Sequence, residues 1–89
     1  QDIQTRLHEA ATEILDAAEA VAREDGARCQ RVVRVGNKPY ELIIAAADDH
    51  DCDLIFMASH GRSGVSALLL GSETQKVLAH SRIPVLVYR

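Results

Sequence analysis

Residues 56–72 read Phe-Met-Ala-Ser-His-Gly-Arg-Ser-Gly-Val-Ser-Ala-Leu-Leu-Leu-Gly-Ser, FMASHGRSGVSALLLGS. The stretch leaves the apolar run Leu54-Ile55-Phe56-Met57, enters a loop carrying Gly61 and Gly64, and closes on Gly71-Ser72 where a helical pattern starts. Glycines let main-chain N–H groups approach a ligand that a Cβ would hold off. A strand, a glycine-bearing loop and a helix N-terminus together form a seat for phosphate, because unpaired N–H groups and the helix dipole both favour an anion. The same residues also suffice for an ordinary turn and an ordinary helix start, Ser being a preferred N-cap.

Outward from this stretch the chain alternates. Upstream, Ile3, Leu7, Ala10, Ala11, Ile14, Leu15, Ala18, Val21 and Ala22 recur at helical spacing, so residues 2–25 read as an amphipathic helix stopped by Gly26. Residues 29–35, Cys-Gln-Arg-Val-Val-Arg-Val, read as a strand, and Arg31 and Arg34 suit an edge or polar ends. Gly36-Asn37-Lys38-Pro39 is a turn whose proline opens a helix running to about His50. That helix ends in Asp48-Asp49-His50-Asp51, negative charge at the negative end of its dipole, which is locally unfavourable.

Leu54–Met57 and Val85–Tyr88 are apolar without alternation, which predicts strands buried on both faces of a parallel sheet. Between them Ser72-Glu73-Thr74-Gln75 fits a capping box, and Arg82-Ile83-Pro84 ends the helix that follows. The predicted order is α-β-α-β-α-β, an α/β fold with a parallel sheet. Three strands and three helices cannot cover two sheet faces, and the long first helix has no preceding strand to pack back from. The chain is therefore expected to lack an N-terminal piece or to complete its sheet with another copy. The start at Gln1 rather than Met reads as processed or trimmed.

Bulk numbers narrow the function. At 89 residues one domain is the ceiling. Hydrophobic residues are 47% and charged residues 26%, as in an ordinary globular protein. A net charge of −3, a pI near 5.7 and only 3% aromatics argue against a nucleic-acid binder, which needs a basic face or stacking platforms. No run approaches the roughly 18–20 apolar residues of a membrane span. Cys29 and Cys52 form no CxxC or Cys/His cluster and are expected as buried thiols in a reducing cytosol. His60 has no Ser, Asp or Cys partner arrangement, His80 is expected only to meet a helix dipole, and the acids around His50 read as a solvated loop rather than a metal cluster.

At the glycine loop the chain resembles the universal stress protein family, whose nucleotide motif is Gly, two residues, Gly, nine residues, Gly, then Ser or Thr. Here the run starts at Ala58, passes Ser59 and His60 to Gly61, spends Arg62–Leu70 on the nine, and closes on Gly71-Ser72. The flanks agree: Asp53–Met57, Val77-Leu78, Pro84–Val87 and the turn Gly36–Pro39. The resemblance implies an adenine-nucleotide α-hydrolase-like fold, a five-stranded parallel sheet in the order 3-2-1-4-5 with helices on both faces. It implies that residues 1–89 form a partial domain, from its second helix to its last strand, truncated at the N-terminus. The missing strand, helix and strand would bring it to about 140–150 residues.

Carried over position by position, the resemblance places Met57 and Ala58 by the ribose, Gly61 and Arg62 by the phosphates, and Gly71, Ser72 and Glu73 at the phosphates from the helix N-terminus. Ala58 departs from the family glycine, and Glu73 puts a carboxylate near phosphate oxygens, where a bridging divalent ion would reverse the sign. The resemblance further implies a cytoplasmic stress-response module that binds ATP or a related adenine nucleotide, with Mg or Mn, in its intact form. The fragment itself is expected to bind poorly or not at all. It also implies self-association, as a homodimer or higher, through Val85–Tyr88, with no nucleic-acid or membrane partner. No catalytic residue is identified: no general base is placed and no arginine finger is assignable, so activity is at most that of a weak ATPase. The alternative is a nucleotide-independent scaffold in which Ala58 and Glu73 mark a lapsed site.

Overall fold

A computed structural model describes residues 2–59 and 70–88. They form helix α1 (Ile3–Glu24), helix α2 (Pro39–Asp49), strand β1 (Ile55–Ala58), helix α3 (Ser72–His80) and strand β2 (Val85–Tyr88), in that order. The chain divides into two units, residues 1–33 and 34–89.

In the first unit α1 starts where the apolar periodicity starts. The Asp2 carboxylate accepts from the Thr5 N–H at 2.7 Å and caps the helix. Its end is a Schellman turn: Ala27 N–H donates to Ala22 C=O at 2.9 Å and Gly26 N–H to Arg23 C=O at 3.0 Å. Gly26 supplies the left-handed angle this turn requires, φ 76°. Arg31 reaches back to the carboxylates of Asp16 and Glu19, the latter at 3.2 Å. These partners raise the Arg31 pKa, Asp16 contributing most. The apolar stripe is only partly used. Leu15 and Ala22 are half-buried, while Ile3, Leu7, Ile14 and Val21 are exposed.

The strand expected over residues 29–35 does not form. The segment has no regular secondary structure and is exposed, with no ladder partner among the described residues. β-branched residues favour a strand because they pack on a neighbour, so Val32, Val33 and Val35 without a neighbouring strand carry only a preference. The observed order is thus α-α-β-α-β. Cys29, on this segment, and Cys52, in the turn after α2, are both exposed, which corrects the expectation of buried thiols.

The second unit holds the core. β1 and β2 pair in parallel with Ile55 opposite Val85 and Ala58 opposite Tyr88. Ala47 of α2, Ile55 of β1 and Val77 of α3 are buried, and Tyr40, Ile43, Ile44, Met57, Ile83 and Val85 pack around them. Pro39 is the first residue of α2, as its fixed φ suits. The acidic end of α2 has a physical account in two parts. Arg34 binds Asp49 with Nη2 2.9 Å from Oδ2. The helix then closes in a second Schellman turn, Cys52 N–H to Ala47 C=O at 2.9 Å and Asp51 N–H to Asp48 C=O at 3.2 Å, with Asp51 in the left-handed position at φ 53°. Before β2, the Ser81 hydroxyl takes the Ile83 N–H and faces its carbonyl, closing the turn ahead of Pro84.

The strands are buried on one face only. Phe56, Leu86 and Tyr88 are exposed, with the Phe56 and Tyr88 rings edge-to-face at 6.2 Å, so the two-sided burial read from the apolar runs is half met among the described residues. Among those residues no helix is long and apolar enough to cross a membrane, and no three His, Cys, Asp or Glu side chains gather as a metal site.

Candidate functional site

The C-terminal end of β1 and the N-terminal end of α3 meet at a compact set of hydrogen bonds. Ser59, 2% exposed, donates its N–H to Tyr88 C=O at 2.8 Å, extending the parallel ladder one residue past β1. Its own carbonyl accepts the Gly71 N–H at 2.7 Å. That bond joins the described residues on either side of positions 60–69. Thr74, 3% exposed, donates its hydroxyl to Ala58 C=O at 3.0 Å, fastening the first turn of α3 to the end of β1. The strand end and the helix start therefore hold as one piece.

Of the residues expected to form the site, Met57 is half-buried against the core and Ala58 is exposed at the strand end. Gly71 is the N-cap of α3, Ser72 its exposed first residue and Glu73 its second. Gly61 and Arg62, with His60 and Gly64, lie outside the described residues. The capping box is not made. Gly71, not Ser72, occupies the cap, with φ −61° and ψ 154°, and no side chain among the described residues caps the helix. Gln75 sends its side-chain amide to Leu70 C=O at 2.9 Å instead. Ser72 lies one position too far into the helix to fold its hydroxyl back onto the third amide. The uncapped start leaves the first-turn amides of Ser72, Glu73 and Thr74 without intrahelical acceptors, the arrangement in which an anion finds donors.

Glu73 does not face a neutral surrounding. Its Oε1 accepts the backbone N–H of Tyr40, second residue of α2, at 3.0 Å, and its Oε2 lies 3.4 Å from Lys76 Nζ. The Lys76 ammonium is also 5.7 Å from the Tyr40 ring centroid, and the His80 ring lies 5.2 Å from that of Tyr40. His80 thus packs on an aromatic ring rather than only meeting the helix end. Sequence reasoning passes over Thr74 and Tyr40: a threonine in a helix and a tyrosine after a proline carry no local signal, since both roles depend on partners 16 and 33 residues away.

Comparison with known proteins gives this geometry a family. The sequence profile of the universal stress protein family matches residues 1–89. The chain belongs to the universal stress protein family. It is 32% identical over 88 residues to the universal stress protein MJ0577 of Methanocaldococcus jannaschii, covering 99% of this chain and 54% of that protein. A universal stress protein of Thermus aquaticus is 40% identical over 73 residues, 82% of this chain and 49% of its own length. Among solved structures, MJ0577 superposes with a TM-score of 0.86 at 33% identity, over 96% of this chain and 58% of that one. The protein PH0823 gives 0.77 at 32% identity, over 98% and 60%. This universal stress protein chain thus spans about half the length of those two curated relatives, and its α/β architecture is that of the solved ones.

Proposed function

We propose that the chain is the phosphate-receiving part of a cytoplasmic stress-response module, which in whole form binds ATP or a related adenine nucleotide with Mg or Mn. The observation that carries this reading is the uncapped N-terminus of α3, fixed to the end of β1 by the Gly71–Ser59 and Thr74–Ala58 bonds. Membership of the family supports it, because Ala58, Gly61, Gly71 and Ser72 stand in the family's nucleotide spacing. In this reading the first-turn amides and the helix dipole meet the phosphates. The module binds and signals; hydrolysis is at most slow. It associates with a second copy through the free edge of β2, Val85–Tyr88.

The test is thermal unfolding of the whole protein with and without MgATP. A ligand at 100 times its dissociation constant adds about 2.7 kcal/mol of stability. No shift at millimolar MgATP removes the nucleotide reading.

A scaffold without nucleotide is favoured by a different observation: the Gly71 N–H is already spent on Ser59, and the Glu73 carboxylate stands in the first turn of α3. That reading predicts an unchanged melting temperature with MgATP and intact self-association.

A further inference from the structure

Neither α2 nor α3 begins with a side-chain cap of its own: Lys38 and Gly71 occupy the cap positions and make no capping hydrogen bond through a side chain. At α2 a carboxylate from α3 serves in place of a cap. Glu73, second residue of α3, accepts the N–H of Tyr40, second residue of α2, at 3.0 Å and is half-buried there. Pro39 has no N–H, and the Glu41 and Leu42 amides turn back to Lys38 C=O at 3.0 and 3.3 Å. The Tyr40 amide is therefore the donor of the first turn of α2 that reaches outward, and it reaches α3. Lys76 and His80, one and two turns further along α3, flank the same tyrosine ring.

We propose that Glu73 is a positioning residue for the anion-receiving end of α3: by holding Tyr40 N–H it fixes the start of α3 against the start of α2. This deepens the nucleotide reading and rests on it. The carboxylate acts by reach rather than by charge. Turned onto α2, it spends its acceptor on an amide of the neighbouring helix, and the Ser72, Glu73 and Thr74 amides keep one orientation toward an arriving phosphate. A carboxylate of the same charge but shorter reach would leave the Tyr40 amide unmatched and the helix start loosely placed.

Two substitutions separate reach from charge. Glu73→Gln keeps the length and an oxygen acceptor but drops the charge. Glu73→Asp keeps the charge but is one methylene shorter. Titration calorimetry of the whole protein with MgATP reads both, with circular dichroism confirming that each variant is folded at the temperature of measurement. The expected result is affinity within about twofold of wild type for Glu73→Gln and weakened by about fivefold or more for Glu73→Asp, the range a single lost hydrogen bond spans. A role through charge alone predicts the reverse order, and a merely stabilising contact would lower the melting temperature of both without moving either affinity. Either of those results overturns the proposal. If wild type itself gives no binding heat, the nucleotide reading fails and this proposal with it. If wild type binds and Glu73→Asp binds equally well, only the positioning role fails.

Discussion

The Thr74 hydroxyl donates to the Ala58 carbonyl across 3.0 Å, with Thr74 itself 3% exposed, so a single side chain fastens a helix start to a strand end. Thr74→Val keeps the shape and removes the donor. Losing a hydrogen bond of this kind costs about 0.5–1.5 kcal/mol. For a domain of this size each kcal/mol lowers the melting temperature by about 4–8 °C. Thr74→Ser should recover most of that loss, and equal stability of the Val and Thr forms would contradict the role assigned to the hydroxyl.

The two Schellman turns predict opposite responses. Gly26 and Asp51 hold the same left-handed position after α1 and α2, with φ 76° and 53°. No heavy atom lies within 4 Å of a Cβ added at Gly26, so Gly26→Ala meets backbone strain alone. It is expected to destabilise by about 1 kcal/mol. Asp51→Gly relieves that strain and removes a negative charge from the end of α2, for a gain of about 1 kcal/mol. Denaturant midpoints at unchanged slope check both signs.

Asp2 gives α1 a pH dependence. The Thr5 N–H, followed by the Thr5 side chain, holds the Asp2 carboxyl below its usual value of 3.8. A lowered folded-state pKa means a contribution present above the unfolded value and lost as pH falls through the folded one. Helicity at 222 nm, followed downward from pH 5, should show an acid loss that Asp2→Asn lacks, since Asn caps without titrating. Superimposable acid limbs for the two forms would contradict the cap.

Self-association is expected at the edge of β2 that faces away from β1. In a parallel pair successive residues direct their backbone groups to alternate sides. Pro84 C=O and Tyr88 C=O accept from Ile55 and Ser59, so the Val87 N–H lies on the free edge. Val87→Pro removes that donor and leaves the β1 ladder intact, as proline is tolerated where its missing N–H faces outward. Light scattering of the whole protein should show the dimer mass fall to the monomer mass with the far-ultraviolet spectrum kept. An unchanged dimer would reject this seam.

Elements with a purely local cause were legible from the residues. Pro39 marks the start of α2, the periodic run to Ala22 and the stop at Gly26 mark α1, and Val85–Tyr88 stands where the apolar run stands. β1 runs one residue later than the apolar run, to Ala58, because Tyr88 offers it a partner there. What failed depended on a neighbour. The β-branched residues at 32, 33 and 35 propose a strand but cannot pair alone. Ser72 carries the composition of a cap, yet Gly71 takes the position because its N–H is drawn to Ser59. Glu73 on the Tyr40 amide and Arg34 on the acidic end of α2 are tertiary facts, fixed by partners distant in sequence rather than by adjacent residues. Of the candidate site, the described part brings Ala58, Gly71, Ser72 and Glu73 to one strand–helix junction; Gly61 and Arg62 lie outside the described residues.

The central claim is that the first-turn amides of α3 receive the phosphates of a nucleotide. Amide chemical shifts of the whole protein, titrated with MgATP, test it most directly. The account predicts saturable shifts largest at Ser72, Glu73 and Thr74, with the Asp51–Cys52 turn at the far end of α2 unmoved. Saturation elsewhere with those three amides unmoved, or no shift at all, would contradict it.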